Sequence, residues 1–318
     1  MKDYKIVLWG HKHYSTTHSY LYASLCRTFQ RYGYEVYWFD DSDYPHVSEF
    51  NYENSVFVID NQGRKDINCP VIESGIYFSW DRFVSLEKYL GKVKRLINFR
   101  CPEYKAPKPD GKRFVEIEKG IIYDRSPEDP YEVMYFYLAT NLWPEDMEYE
   151  DIDIVRNNAY NFIGTIHAPR PNAEPLHQQF IEIVKSKGIQ FNHYDAEISH
   201  NNPNHKPVDD QTNIQLMQKS IFVPDFRPQE QKDNHYVACR IMKAISYGCL
   251  VVSDSSYVKD FIDKELLCAD TAQEIFDLGM KNQYNKELIR YLMDVVKKEH
   301  TYLNRVKGFI TIIENEKI

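Results

Sequence analysis

Two groups of residues in this sequence have the types and spacing to do chemistry. In HYVACRIMKAISYGCLVVSDS, His235 to Ser255, a helical pattern carries Arg240 and Lys243, stops at Gly248 and turns at once into an apolar run ending on serines. A guanidinium and an ammonium beside a strand exit with Ser253, Ser255 and Ser256 suit a diphosphate. The guanidinium fork bonds two oxygens at once, and hydroxyls and free backbone N–H groups complete an anion seat. The second group, GHKHYSTTH, holds His11, His13 and His18 behind an apolar run near the N-terminus. Histidine titrates near neutral pH, which suits proton abstraction, and Asp40 and Asp41 close the next apolar run as carboxylate candidates. His18, then His11, is the first choice for a base.

Each group has a plainer reading. Arg240 and Lys243 serve equally as solvated surface cations, and the histidines as helix caps or loop packing. The His-x-His-x4-His spacing lets two histidines share a cation, but no carboxylate or third ligand stands at a matching spacing, so no metal is expected.

The elements that must position these groups follow a repeating grammar. KIVLWG (Lys5 to Gly10) reads as a buried strand with a tight exit, HSYLYASLCRTFQRYGY as a helix capped at Gly33, and EVYWFDD (Glu35 to Asp41) as a second strand. Strand, loop, helix, strand in so short a span is a βαβ unit and implies a parallel sheet. SVFVID, CPVIESGIYFSW, KVKRLINFR, RFVEIEKGIIYD and VMYFYLAT add further strands. The acidic segment around Pro144 breaks the periodicity, which divides the chain into domains 1–150 and 151–318.

A second series restarts with YNFIGTIHAPR (Tyr160 to Arg170), a strand ending in Gly164-Thr165 and a loop with Arg170. A helix stopping at Gly188, a strand IQFNHYDAEIS, a His/Asn-rich loop, another helix and the strand SIFVPDF follow. On a helix starting near His235, Val237, Ile241, Ala244, Ile245 and Gly248 share one face, while Tyr236, Arg240, Lys243 and Tyr247 form a cationic edge turned toward the site. A last amphipathic helix runs through Leu288, Leu292, Val295 and Val296 into HTYLNRVKGFITII. Two doubly wound domains bring ligands to the carboxyl ends of their strands.

Composition narrows the class. The chain has 318 residues, 43% of them hydrophobic and 27% charged, which suits a two-domain globular enzyme. No apolar run approaches the roughly 20 residues that span a bilayer, and the N-terminus reads as a strand instead of a signal peptide. A net charge of −8 argues against a nucleic-acid partner, which would draw a basic surface. Six cysteines without Cys-x-x-Cys spacing point to a reducing, cytoplasmic setting. The 25 tyrosines suit either sugar and base stacking, with Tyr194, Tyr236 and Tyr247 as candidates, or amphipathic packing. A dinucleotide fingerprint, a Walker lysine loop and a Gly-x-Ser-x-Gly elbow are all missing.

The stretch KAISYGCLVVSDSSYVKDFI resembles the donor-binding segment of GT-B glycosyltransferases. YNFIGTIHAPR resembles the first strand of their C-terminal domain, whose Gly exit borders the donor phosphates; the resemblance puts Gly164, Thr165 and Arg170 there. HTYLNRVKGFITII resembles the C-terminal helix of CgeB-like glycosyltransferases, and GHKHYSTTHSYLYASLCRTFQRYGYEVYWFDD resembles the N-terminal unit of related, often phage- or virus-borne, transferase-like proteins. Many retaining GT-B enzymes carry two glutamates eight residues apart in the donor helix; the equivalent positions here are His235 and Lys243. Arg240 falls where fucosyltransferases and exostosin-like enzymes place a cation, which leaves retaining or inverting chemistry open.

The resemblance implies an α/β protein with two Rossmann-like doubly wound domains facing across a cleft, the first for an acceptor and the second for a donor, with the last helix returning to the first. It implies transfer of a hexosyl or deoxyhexosyl group from a nucleotide-diphosphate-sugar to a glycan acceptor, with no metal and no membrane insertion. In that scheme Gly164, Thr165, Arg170, Tyr236, Arg240, Lys243, Ser253, Ser255 and Ser256 bind the donor, and the base comes from His18, His11 or Asp40. The alternatives are a non-catalytic carbohydrate- or nucleotide-sugar-binding homologue and another nucleotide-dependent Rossmann enzyme, such as an epimerase or dehydrogenase.

Overall fold

The computed structural model describes residues 3–13, 17–44, 46–60, 68–80, 86–100, 105–147, 158–163, 175–194 and 210–315. Contacts divide the chain into two compact units, Met1–Leu138 with Tyr302–Ile318, and Ala139–Thr301. The sequence boundary at residue 150 lies outside the described residues.

The first unit runs β1 (Lys5–Trp9), α1 (Thr17–Arg31), β2 (Val36–Phe39), β3 (Ser55–Asp60), β4 (Ile76–Trp80), β5 (Arg95–Arg100), β6 (Phe114–Glu118), β7 (Ile121–Asp124) and β8 (Glu132–Phe136). Among the described residues these form one sheet in the order β2-β1-β3-β4-β5-β8-β7-β6. From β2 to β8 every pairing is parallel, and β6 and β7 close the edge as an antiparallel hairpin pair. Every residue of β3 and β4 is buried, which is why they read as unbroken apolar runs instead of alternating ones. The chain steps one way from β1 to β2 and the other way from β1 to β3, so the strand order switches direction at β1/β3.

Alternation along the strands divides the core between the two faces of this sheet. Val7, Trp9, Phe57, Ile59 and Tyr77 share a cluster with Tyr52, Leu86 and Tyr89 from the connections, and Phe57 stacks on Tyr77 at 4.3 Å. Here the tyrosines pack. On the opposite face Phe78, Phe99 and Phe136 meet Phe309 at 4.7, 6.1 and 5.7 Å between centroids. Phe309 belongs to α9 (Tyr302–Glu314), the last helix, which also lies on α1 through Phe29.

Arg305 of α9 is fully buried. Its Nε donates to the Tyr137 carbonyl at 2.7 Å, one terminal nitrogen donates to the Leu138 carbonyl at 3.3 Å, and the other donates to the Lys119 carbonyl. Burial pulls the guanidinium down to about 10. Its fork is satisfied by backbone oxygens just past the end of β8 and in the β6–β7 turn.

The second unit runs β9 (Ala159–Ile163), α2 (Pro175–Ser186), β10 (Gln190–Tyr194), α3 (Asp210–Lys219), β11 (Val223–Asp225), α4 (Gln229–Asp233), α5 (Cys239–Ser246), β12 (Val251–Ser253), α6 (Ser256–Ile262), β13 (Leu267–Cys268), α7 (Ala272–Asn282) and α8 (Lys286–Glu299). β9 and β10 pair in parallel, as do β11, β12 and β13. The chain enters and leaves this unit side by side: Thr140 bridges Thr301, and the Thr140 N–H donates to the His300 carbonyl at 3.0 Å. Among the described residues no helix is long and apolar enough to cross a membrane.

Two expected helices differ in extent. The helix expected from near His235 starts only at Cys239: His235 adopts φ 58, a left-handed conformation foreign to a right-handed helix, and Ala238 is the extended N-cap. The expected last helix is two, α8 and α9: His300 closes α8 by donating its N–H to the Val296 carbonyl at 2.9 Å, and Thr301 then makes a strand-like bridge to Thr140 before α9 begins.

Candidate functional site

In the first unit the chemistry collects at the β1/β3 switch, the place where open α/β sheets bind ligands. Gly10 and His11 leave β1 at φ 112 and 55, a reversal that carries His11 back over the strand end. His18 lies in the first turn of α1, and Asp60 is the last residue of β3, with no exposed surface. His18 Nδ1 donates to Asp60 Oδ2, and His11 Nε2 lies 3.0 Å from the same oxygen. Trp80, ending β4, stacks on the His18 ring at 4.5 Å and 16°, and the His11 and His18 rings lie 4.8 Å apart.

Burial works to raise the Asp60 carboxyl, but the hydrogen bonds and charges of His11 and His18 outweigh it and hold it down at about 2. With Nδ1 committed to Asp60, the lone pair of His18 sits on Nε2, where it can take a proton. Asp60, missed in the sequence, orients the histidine that was found there. Its signal was an acid closing an apolar run, the same signal that singled out Asp40.

Asp40 serves differently. It is buried, caps the 3-10 turn Asp41–Asp43, and accepts from the Ser42 and Lys12 N–H groups, each at 3.3 Å. Asp41 accepts from Trp9 Nε1 at 2.7 Å. His13 faces Asp43 at 3.5 Å instead of Asp60.

In the second unit the carboxyl ends of β11 and β12 hold a compact ionic cluster. Asp225 is buried and pairs with Arg227, while Arg240, on the first turn of α5, stands 3.6 Å from the same carboxylate. Burial opposes ionisation of Asp225, but Arg227, then Arg240 and the Ser253 hydroxyl, keep it low. Asp254 accepts the Arg227 N–H on both oxygens at 3.0 and 3.1 Å and meets Lys232 at 2.9 Å; burial still pushes it up. Among the described residues, three cations (Arg227, Lys232, Arg240) pair with two carboxylates (Asp225, Asp254), an excess of one positive charge.

Arg240 is the most distantly paired of the three. Its side chain is 19% exposed, lies over the Phe162 ring at 4.5 Å, and has a buried Nε that donates to no protein group among the described residues. Burial, and then the charge of Arg227, push its guanidinium down. A group so placed gains from an added anion.

Of the other expected donor residues, Gly164, Thr165 and Arg170 lie outside the described residues. Tyr236 is not on the helix of Arg240; it lies between α4 and α5, with its ring 5.3 Å from the Arg227 guanidinium. Lys243 is 9% exposed and not part of a cationic edge, because α5 is buried through its last two turns, from Ile241 to Ser246. Ser253 donates to Asp225 at 3.0 Å and Ser255 caps α6 through Val258, so both hydroxyls serve the protein itself; Ser256 is exposed. Tyr247 is buried and Tyr194 half-buried. Arg227, Asp225, Lys232 and Asp254 were not singled out from the sequence, where SIFVPDF reads as a strand.

No protein-family model matches the chain, and no curated protein matches it. The structure is similar to that of an alpha-glucosyltransferase in complex with UDP, with a TM-score of 0.54 and 12% identity, covering 98% of this chain and 100% of that one. It is also similar to T4 phage BGT in complex with UDP-glucose, at TM-score 0.47 and 12% identity over 96% of each chain. An alpha1,3-fucosyltransferase is similar at TM-score 0.44 and 11% identity, over 99% and 91%. The first likeness shows the fold, a mixed α/β protein of GT-B type.

Proposed function

We propose that the chain is a glycosyltransferase that moves a hexosyl or deoxyhexosyl group from a nucleotide-diphosphate-sugar to a saccharide or glycoconjugate acceptor. The observation that carries this is Arg240: a half-buried guanidinium on α5 beside the end of β11, 3.6 Å from a carboxylate it shares with Arg227. A diphosphate supplies the missing negative charge, and its leaving charge grows during transfer, so the same cation favours the transition state more than the ground state. The GT-B fold supports the reading.

In the transfer, the acceptor oxygen forms a bond to the anomeric carbon as the bond from that carbon to the diphosphate oxygen breaks. The electron pair leaves with the diphosphate toward Arg240. The acceptor proton goes to a base, for which His18 Nε2 is our candidate within the first unit; Asp60 holds the ring in that tautomer and stabilises the imidazolium that results. No metal takes part in this scheme, because the cations are side chains.

A thermal-shift panel of UDP, GDP, CMP and dTDP, each with and without its sugar, tests it. Ligand bound to the native state raises the melting temperature, by an amount set by concentration over Kd. The expected result is a clear preference for one nucleoside diphosphate, with slow hydrolysis of its sugar conjugate. Binding without turnover makes the chain a nucleotide-sugar-binding protein, and silence from the whole panel removes the donor site.

A further inference from the structure

We propose that His11, His18 and Asp60 form a binding site for one divalent ion of the zinc class, and that the bound ion silences His18 as a base. Two imidazoles and a carboxylate are a donor set that suits zinc and its cobalt and nickel neighbours and leaves a fourth position for water. Along the chain the set is invisible, since Asp60 stands 42 residues beyond His18. Folding brings one ligand atom of each residue to within 4.8 Å of the other two. Ligands of a tetrahedral zinc at roughly 2.0–2.1 Å stand about 3.3–3.5 Å apart, so side-chain rotations alone admit the ion.

The surroundings are those of a built site instead of a chance surface cluster. Asp60 has no exposed surface and His11 is buried. Trp80 covers one face of His18, and the Tyr22 ring stands 6.0 Å from that of His11. A buried carboxylate on which two imidazoles converge loses little by exchanging their N–H groups for a dication, which repays its desolvation more fully than hydrogen bonds do.

The two uses of the cluster exclude each other. An ion on His18 Nδ1 takes the lone pair there and leaves the ring proton on Nε2. Nε2 then has nothing with which to accept the acceptor's proton. This second half rests on the base role proposed above; the binding half does not.

The test uses the full chain, dialysed against chelator and titrated with Co2+ while visible absorption is followed. Expected are d–d bands that saturate at one equivalent, bleach with Zn2+, and vanish in His11→Gln and Asp60→Asn while His13→Gln keeps them. Absent bands, or bands that survive in both variants, overturn the site. Should a variant fail to fold, protection of His11 and His18 in the native chain from diethylpyrocarbonate by one equivalent of Zn2+ decides instead, and unprotected histidines overturn it. For the second half, one equivalent of Zn2+ should lower donor turnover at least tenfold, reversibly with EDTA; unchanged or faster turnover overturns the silencing. If no donor is turned over at all, the glycosyl-transfer reading has failed, and the cobalt spectra still decide the site.

Discussion

Gly120 and Arg305 fit together only because one of them has no side chain. Gly120 turns from β6 into β7 at φ 78, and a Cβ built there would stand 2.6 Å from the Arg305 guanidinium carbon. Arg305 cannot retreat, since its nitrogens are held by three carbonyls in a buried position. Gly120→Ala therefore combines left-handed backbone strain with overpacking and should cost about 2–4 kcal/mol. Urea unfolding of the two proteins measures it; a loss under about 1 kcal/mol, the floor for such overpacking, would mean that α9 shifts freely on the sheet.

Arg305→Lys keeps the charge and loses the fork. A single ammonium cannot reach all of the Lys119, Tyr137 and Leu138 carbonyls from one position, and each buried carbonyl left alone costs about 1–3 kcal/mol. We expect the Arg305→Lys variant to melt at a lower temperature than the wild type while keeping its far-UV spectrum. A melting temperature equal to wild type would show that charge alone holds α9 in place.

Gly279 sets two effects against each other. It lies inside α7, where alanine is favoured over glycine by about 1 kcal/mol, yet a Cβ there would meet Phe222 at 2.1 Å. Phe222 is buried among Tyr160 and Phe180 and has nowhere to turn. The clash wins, so Gly279→Ala should destabilise by about 1–3 kcal/mol. A stabilised variant in the same unfolding assay would reverse that ranking.

The two arginines of the second unit should fail differently. Arg240→Ala removes a cation that the fold can spare, and nucleoside diphosphate affinity should drop by about 2–5 kcal/mol with little change in melting temperature. Arg227→Ala leaves the buried Asp225 without its main partner and should cost about 3–5 kcal/mol of stability. Calorimetric titration beside a thermal melt separates the two; unaltered affinity in Arg240→Ala would take the residue out of the site.

In the first unit, Asp60→Asn tests the tautomer argument. Asparagine fits the space but can neither hold His18 Nδ1–H as a carboxylate does nor stabilise the imidazolium. Transfer should fall by about 10²–10⁴-fold in kcat, as should that of His18→Ala, with the donor KM little changed. A variant that raises donor KM at constant kcat would place Asp60 in binding instead.

The strands of the first unit were legible because buried parallel strands are written as unbroken apolar runs: SVFVID in the sequence is β3 in the structure. His18 stood out in the sequence by residue type and by its place after a strand, and the structure sets it against Asp60. Asp60 did not stand out, because its relation to His18 spans 42 residues and exists only where β1 and β3 lie side by side. The late start of α5 was hidden for another reason: the helical pattern begins near His235, while φ 58 there and the extended Ala238 hold the helix off until Cys239. Lys243 misled by type, since a lysine in a helical pattern reads as surface, yet α5 buries it.

The doorway at Thr140 and Thr301 has a consequence for the order of folding. Because residues 139–301 begin and end on paired neighbours, while the segments before and after them belong to the other unit, the sheet of the first unit receives its covering helix α9 only after the whole second unit has been synthesised.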